Sequence, residues 1–334
     1  MTPRERVVAA IGHGQPDKVP YHITFTEPAR EKMMNYYGDP DFESTLGNCL
    51  HILRTRLPER PVPGQAGIWE DEFGVHWDRN IDPDIGTVCN RRVTPATLKE
   101  YRFPDPDAPA RFAHFPAALQ DRAGRFTLAT IGFTLFERAW TLAGMENVLM
   151  AMLDDKPFAN ELLDRILEYD LALTRKALRF DVDGMRFGDD WGQQRGLIMG
   201  PALWREFIAP RIARLYGMVK SAGKRVFIHS CGKVEELFPD LIACGVDVFN
   251  PFQPEVMDVE EVKRRYGSKI TFYGGISTQQ TLPFGSTAQV REEVRRLIEK
   301  VGEGGGYIAA PAHDVPADAK PENVAAMIEV LRDQ

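Results

Sequence analysis

From about residue 125 to the C-terminus the chain alternates short β-branched or aromatic runs with amphipathic helical patterns, and few folds accept that alternation. The strand-like runs are 126–131, 184–187, 225–228, 246–249, 270–273 and 307–310. Helical patterns fill the intervals, at 202–221, 234–244 and 323–331 and in a stretch where Val290, Val294, Leu297 and Val301 share one face. Residues 281–286 read as a Pro/Gly turn ahead of that stretch. An earlier unit, a strand over 19–25 followed by a helix over 28–37, completes seven strands. Repeated β-α units with short links build a parallel sheet with right-handed crossovers. An eighth strand, sought between Ile68 and Val93, closes a (β/α)8 TIM barrel with an N-terminal helical extension. An open doubly wound sheet is the alternative.

The 334 residues suit one barrel domain spanning 1–334 with room for an insertion. Segment 60–109, rich in Pro and Asp, supplies it. Residues 69–78 read as a β-hairpin excursion of the kind that forms lids, and Phe103-Pro104-Asp105-Pro106-Asp107 as a rigid extended linker. No Gly-x-Gly-x-x-Gly follows a strand, which speaks against dinucleotide binding, and Gly304-Gly305-Gly306 reads as a helix C-cap and turn.

A net charge of −7 and the lack of a Lys/Arg block argue against nucleic acid and anionic membrane surfaces as partners. The N-terminus, Met1-Thr2-Pro3-Arg4-Glu5-Arg6, has no apolar signal core, and no apolar stretch is long enough for a membrane span. Four cysteines without Cys-x-x-Cys spacing form no disulfide framework. The expectation is a cytoplasmic, reduced protein with Cys231 free to act as a thiolate.

In such a barrel the chemistry gathers where strands end, so the strand exits are the candidates. The exit after 225–228 carries His229-Ser230-Cys231-Gly232. A His and a Cys two apart can turn toward one point there, offering the nitrogen and sulfur ligands that Zn²⁺ prefers. The third ligand expected is His313, in the loop after the last strand. The alternative is that His229 and Cys231 are packing residues at a strand end. Asp189 and Asp190 are adjacent carboxylates at the 184–187 exit. Either works as a catalytic acid/base or, for Asp189 especially, as a helix cap. Glu137 and Arg138 begin a helix and read as structural, paired with each other or with a neighbour, and His22 points weakly to the interior. Phe25, Trp191 and Phe252 are expected as apolar substrate-binding walls, with Gln193, Gln253 and Gln279 as hydrogen-bonding groups on the rim. A zinc site with an open fourth position suits deprotonation of an incoming thiol and methyl transfer onto sulfur. With bound water it suits hydrolysis.

Phe187-Gly188-Asp189-Asp190-Trp191-Gly192, Phe227-Ile228-His229-Ser230-Cys231-Gly232, Tyr273-Gly274-Gly275-Ile276 and Gly305-Gly306-Tyr307-Ile308-Ala309-Ala310-Pro311 together resemble the uroporphyrinogen decarboxylase superfamily. That superfamily includes cobalamin-linked zinc methyltransferases acting on coenzyme M and similar acceptors. The resemblance spans nearly the whole chain and implies a (β/α)8 barrel. The decarboxylases carry an Arg-Gln-Ala-Gly-Arg-Tyr loop after the first strand, suited to a polycarboxylate tetrapyrrole. Here the matching stretch is Thr24-Phe25-Thr26-Glu27-Pro28-Ala29-Arg30, with a single Arg. His229 and Cys231 match the first two zinc ligands of the methyltransferases. His313 stands where those enzymes usually place a Cys and where the decarboxylases carry a His. The leading expectation is a zinc methyltransferase working with cobalamin or a corrinoid protein on a small-molecule substrate, with a homodimer as an open possibility. The alternatives are a metal-free lyase acting on a carboxylated substrate and a non-catalytic ligand-binding barrel.

Overall fold

Seven parallel strands follow one another around a common axis in the computed structural model, which describes residues 1–80 and 82–334. They are β1 (Leu50–Arg54), β2 (Phe126–Ile131), β3 (Gly184–Gly188), β4 (Arg225–His229), β5 (Val248–Phe252), β6 (Thr271–Ile276) and β7 (Tyr307–Pro311). Each pairs in parallel with the next, with registers such as Leu50↔Phe126, Phe227↔Arg186 and His229↔Asn250. The remaining gap, between β7 and β1, is bridged by the extended chain around Tyr21. Tyr21 forms a parallel bridge with Ala309, and its carbonyl accepts the Cys49 N–H just ahead of β1. Phe25 bridges Val315 in the same way. The sheet is thereby curled into a TIM-type α/β barrel.

Three expectations need correction. Residues 19–25 do occupy a stave, but through isolated bridges and not as a regular strand. The strand sought between Ile68 and Val93 is instead β1. The 60–88 stretch folds as a separate four-stranded antiparallel sheet (Arg60–Pro61, Ile68–Glu70, His76–Asp78, Thr87–Val88), which contains the expected hairpin. Thr281–Phe284 forms one helical turn where a plain turn was expected.

Strand period two sorts the side chains. Outward residues such as Met185, Phe187, Ile228 and Phe249 pack with the surrounding helices in the large outer core. Inward residues form a second cluster: Leu50, Phe126, Leu128, Phe227, Val248, Tyr273, Ile308 and Ala310. The N-terminal helix, Pro3–Ile11, starts at Thr2 with a capping box to Glu5 and inserts Val7 and Ile11 into this inner cluster. It thus plugs the N-terminal end of the barrel. The insertion is anchored at the other end. Trp77 lies against Phe133 at the exit of β2, with ring centroids 5.4 Å apart, and Asp71 pairs with Arg138 at 3.1 Å. Of the two partners open to Arg138, Glu137 or a neighbour, the structure uses a neighbour: Arg138 reaches Asp71 of the insertion and sits over the Phe73 ring. No helix among the described residues is long and apolar enough to cross a membrane.

Candidate metal centre

β4 ends at His229, and the chain then turns sharply through Ser230, Cys231 and Gly232. Gly232 has φ of 83°, and a Cβ on it would lie 2.4 Å from the Gly192 carbonyl carbon. A Cβ on Gly192 would likewise meet the Cys231 carbonyl oxygen at 2.5 Å. Only glycine at both positions lets the loops after β3 and β4 touch backbone to backbone. Hydrogen bonds lace the two loops together. The Asp189 N–H donates to the His229 carbonyl (2.9 Å), the Trp191 N–H to Ser230 Oγ (3.0 Å), and the Cys231 N–H to Asp190 Oδ1 (2.8 Å). The Gly232 N–H donates to Gln253 Oε1 (2.7 Å), tying the turn to the exit of β5.

These constraints bring His229, Cys231 and the β7-exit residue His313 together, with one ligand atom from each lying within 4.8 Å of the others. Cys231 Sγ lies 3.4 Å from His229 Nε2, and the two imidazole centroids are 5.5 Å apart. Tetrahedral zinc with N and S ligands needs ligand atoms roughly 3.3–3.6 Å apart, so a small contraction suffices. The second observation of fit is the tautomer. Asn250 donates its amide N–H to the Tyr273 carbonyl (3.0 Å), which leaves its Oδ1 facing His229 Nδ1 at 2.6 Å. The Nδ1 must therefore carry the proton, and Nε2 presents its lone pair beside the sulfur. Burial, and then the Arg186 charge, push the His229 pKa down to about 4, so the ring is neutral as a ligand requires. Burial, with Asp190 and Glu137, pushes the Cys231 thiol far above its usual range. A cation is the natural agent to reverse that.

The adjacent aspartates face different ways. Asp189 is fully buried and accepts from the Glu137 N–H (2.7 Å), the Phe136 N–H (3.2 Å) and Trp191 Nε1 (2.7 Å). It caps the helix Leu135–Ala143 that follows β2, the structural alternative weighed for it, and burial raises its pKa to about 7. Asp190 instead turns to the Cys231 backbone. Glu137, read from sequence as structural, is the missed residue. It is buried, and burial, with the charges of Asp190 and Asp189, raises its carboxyl well above the ordinary range. Arg186 was missed too; it lies 3.1 Å from His229 Nδ1. An Arg inside an otherwise apolar strand was a signal available in the sequence.

Of the expected substrate walls, Trp191 and Phe252 are corrected: both are fully buried, Trp191 against Trp204 and Phe252 stacked on Phe272 at 4.4 Å. Phe25 is half-buried against Phe42. Gln253 is buried as a loop brace. Gln193 and Gln279 are exposed on the rim, where Gln279 accepts from Gln194 at 3.4 Å. Asp314 accepts a hydrogen bond from the Thr24 hydroxyl. The insertion reaches this side of the mouth, because Asp84 is close enough to feel the charges of Asp314 and His313.

Comparison with known proteins gives the family of the chain. The model of the family described as uroporphyrinogen decarboxylase (URO-D) matches residues 80–334. A uroporphyrinogen decarboxylase of Pseudomonas fluorescens (strain Pf-5) is 26% identical over 273 residues, covering 78% of this chain and 73% of that protein. The methylcobamide:CoM methyltransferase MtaA of Methanosarcina barkeri is 26% identical over 131 residues, 39% of this chain and 36% of that protein. A solved methyltransferase from Methanosarcina mazei superposes with a TM-score of 0.72 over 100% of this chain and 99% of that one, at 17% identity, a likeness of fold. The chain belongs to the uroporphyrinogen decarboxylase family, whose enzymes include both decarboxylases and a methyltransferase.

Proposed function

From that membership we propose that the chain is a zinc-dependent methyltransferase, moving a methyl group between a methylcorrinoid, free or carried by a partner protein, and a thiol or similar acceptor. The observation that carries the reading is the His229–Cys231–His313 cluster with the His229 tautomer fixed by Asn250. Zn²⁺ bound there would supply Lewis acidity that favours a thiolate at neutral pH. The chain's own part is to hold and orient. Asn250 keeps Nε2 of His229 aimed, and Asp190 and Gln253 pin the Cys231 turn.

The first exit supports the same choice. Its single arginine, Arg30, is ion-paired with Glu43 at the surface, so a polycarboxylate tetrapyrrole would meet little positive charge there. The second reading, a metal-free lyase, is favoured by the longer matches to decarboxylases. Metal analysis of protein purified without chelator separates them. Stoichiometric zinc, lost on chelation together with methyl transfer from methylcobalamin to a thiol, supports the first. A metal-free protein that gains nothing from added zinc overturns it.

A further inference from the structure

Among the described residues three that are not glycine have a positive φ: His13 (55°), Ala123 (49°) and Phe133 (50°). His13 and Ala123 sit beside glycines in turns at the N-terminal end of the barrel. Phe133 stands at the opposite end, at the exit of β2. The left-handed region is unfavourable for so bulky a side chain, and strain of this kind persists only where the surroundings impose it. Here they do. The Thr134 N–H and the Thr134 hydroxyl both donate to the Gly188 carbonyl, at 2.7 and 2.9 Å, and clamp the β2 exit onto the β3 exit. A Cβ on Gly188 would lie 3.6 Å from the Phe133 nitrogen. Phe133 is thereby fixed beside the loop of Asp189 and Asp190, which is laced to the Cys231 turn.

Ile131, Thr134 and Leu135 around it are buried, but Phe133 is half-exposed. Trp77 of the insertion covers one side of the ring, with 35° between the planes, and the Arg138 guanidinium lies 5.6 Å from the ring centroid. Both lie where the insertion is anchored, which leaves the side toward the strand exits uncovered. An aromatic surface of this kind attracts either a flat ring or a cation. The chain already supplies the cation, Arg138, and neutralises it with Asp71. We propose that Phe133, backed by Trp77, is a specificity-determining wall that stacks on an uncharged aromatic ring of the substrate, while the reacting end of the same molecule faces His229, Cys231 and His313. The inference deepens the methyl-transfer reading and rests on it for the identity of the reacting end. It narrows the acceptor to an aryl-bearing compound. It also relocates the apolar wall expected from sequence, since Trp191 and Phe252 are fully buried and the β2 exit offers an aromatic surface in their place.

The test uses the zinc-loaded protein and two thiols of similar size, 2-phenylethanethiol and 2-cyclohexylethanethiol. Burial alone favours the cyclohexyl compound, which has more apolar surface, so a phenyl preference reports stacking. Titration calorimetry should show the phenyl thiol binding about 3- to 10-fold more tightly. Phe133→Leu should abolish or reverse that preference and Phe133→Tyr keep it, with zinc content unchanged in both. A merely structural role would leave the ratio of the two affinities as it is. A wild-type protein without the preference, or a preference that survives Phe133→Leu, overturns the proposal. Should Phe133→Leu not fold, Phe133→Asn, whose side chain tolerates a positive φ, takes its place in the same comparison. If the wild-type protein binds no metal, the methyl-transfer reading falls separately. The pair 2-phenylethanol and 2-cyclohexylethanol then decides for Phe133. Affinities from titrated saturation-transfer NMR that favour the phenyl alcohol in the wild type, and no longer in Phe133→Leu, uphold the wall; an equal ratio in both proteins refutes it.

Discussion

Leu128, Phe227 and Val248 fill the lower lumen with hydrocarbon, sealed by Val7 and Ile11 of the first helix. Two residues further along β4 and β5 the inward positions are His229 and Asn250, with Arg186 of β3 beside them, and the lumen turns polar. The same strands, in the same register, thus build two different media. The lower half obeys only volume and hydrophobicity, so its residues can exchange for others of similar size. The upper half obeys hydrogen-bond accounting, in which each group depends on its neighbour's orientation: Tyr273 sets Asn250, Asn250 sets His229, and His229 sets what the cluster offers. Stability and chemistry are therefore separable along the barrel axis.

The strongest way to break this separation is Cys231→Ala. It should empty the cluster of metal and reduce methyl transfer to background while leaving the unfolding midpoint near that of the metal-free wild type, readable by elemental analysis and denaturant titration. A large loss of stability in that comparison would show the two halves to be one unit. Phe227→Ala tests the lower half. Phe227 is fully buried, and its truncation should cost about 3–5 kcal/mol of unfolding free energy. Metal content in the folded fraction should be unchanged.

Asn250→Ala probes the hydrogen-bond chain. It removes the tautomer lock and should weaken zinc binding about 10- to 100-fold in a competition titration with a chromogenic chelator. Unchanged affinity would mean that the lock is idle. The last test concerns pH. His22, bonded through Nδ1 to the Tyr273 hydroxyl at 2.6 Å, is fully buried, and burial with Arg186 lowers its pKa to about 3. The unfolded chain binds a proton near pH 6.5 that the folded chain refuses. Its contribution to stability is thus complete above about pH 6.5 and fades as pH falls toward 3. His22→Phe should flatten part of that acid-side decline in urea titrations across the window, and an unaltered slope would remove His22 from the account.

Much of this architecture is legible in the residues. Alternating strand and helix periods point to a parallel α/β sheet and the family resemblance to a barrel, which makes strand exits the candidates, so His229, Cys231 and His313 could be grouped although 82–84 residues separate the first two from the third. What escaped detection did so for physical reasons. β1 has only five residues, and its burial does not alternate, so it offers little periodicity to read. The 19–25 stave is held by isolated bridges whose stability comes from its neighbours. Glu137 follows Phe136 at the start of a helix, a common place for a surface acid, and only the packing of that helix against the β3 exit buries it.

What the sequence by itself determined is therefore the parallel β-α alternation, a hairpin-bearing insertion and the list of groups at the strand exits, because these follow from periodicity and chain connectivity. What only the tertiary structure decided is the direction of each group. Asp189 and Asp190 are adjacent and chemically identical, yet one caps a helix and the other holds the Cys231 turn. Trp191 and Phe252 stand at the right exits but face away from the lumen into the helical layer. Arg186 is an ordinary arginine in sequence and, among the described residues, a cation without a carboxylate partner in space. The reason is common to all of them. A one-residue step reverses the face on which a side chain lies, and whether that face meets water, hydrocarbon or a partner depends on segments far away in the chain.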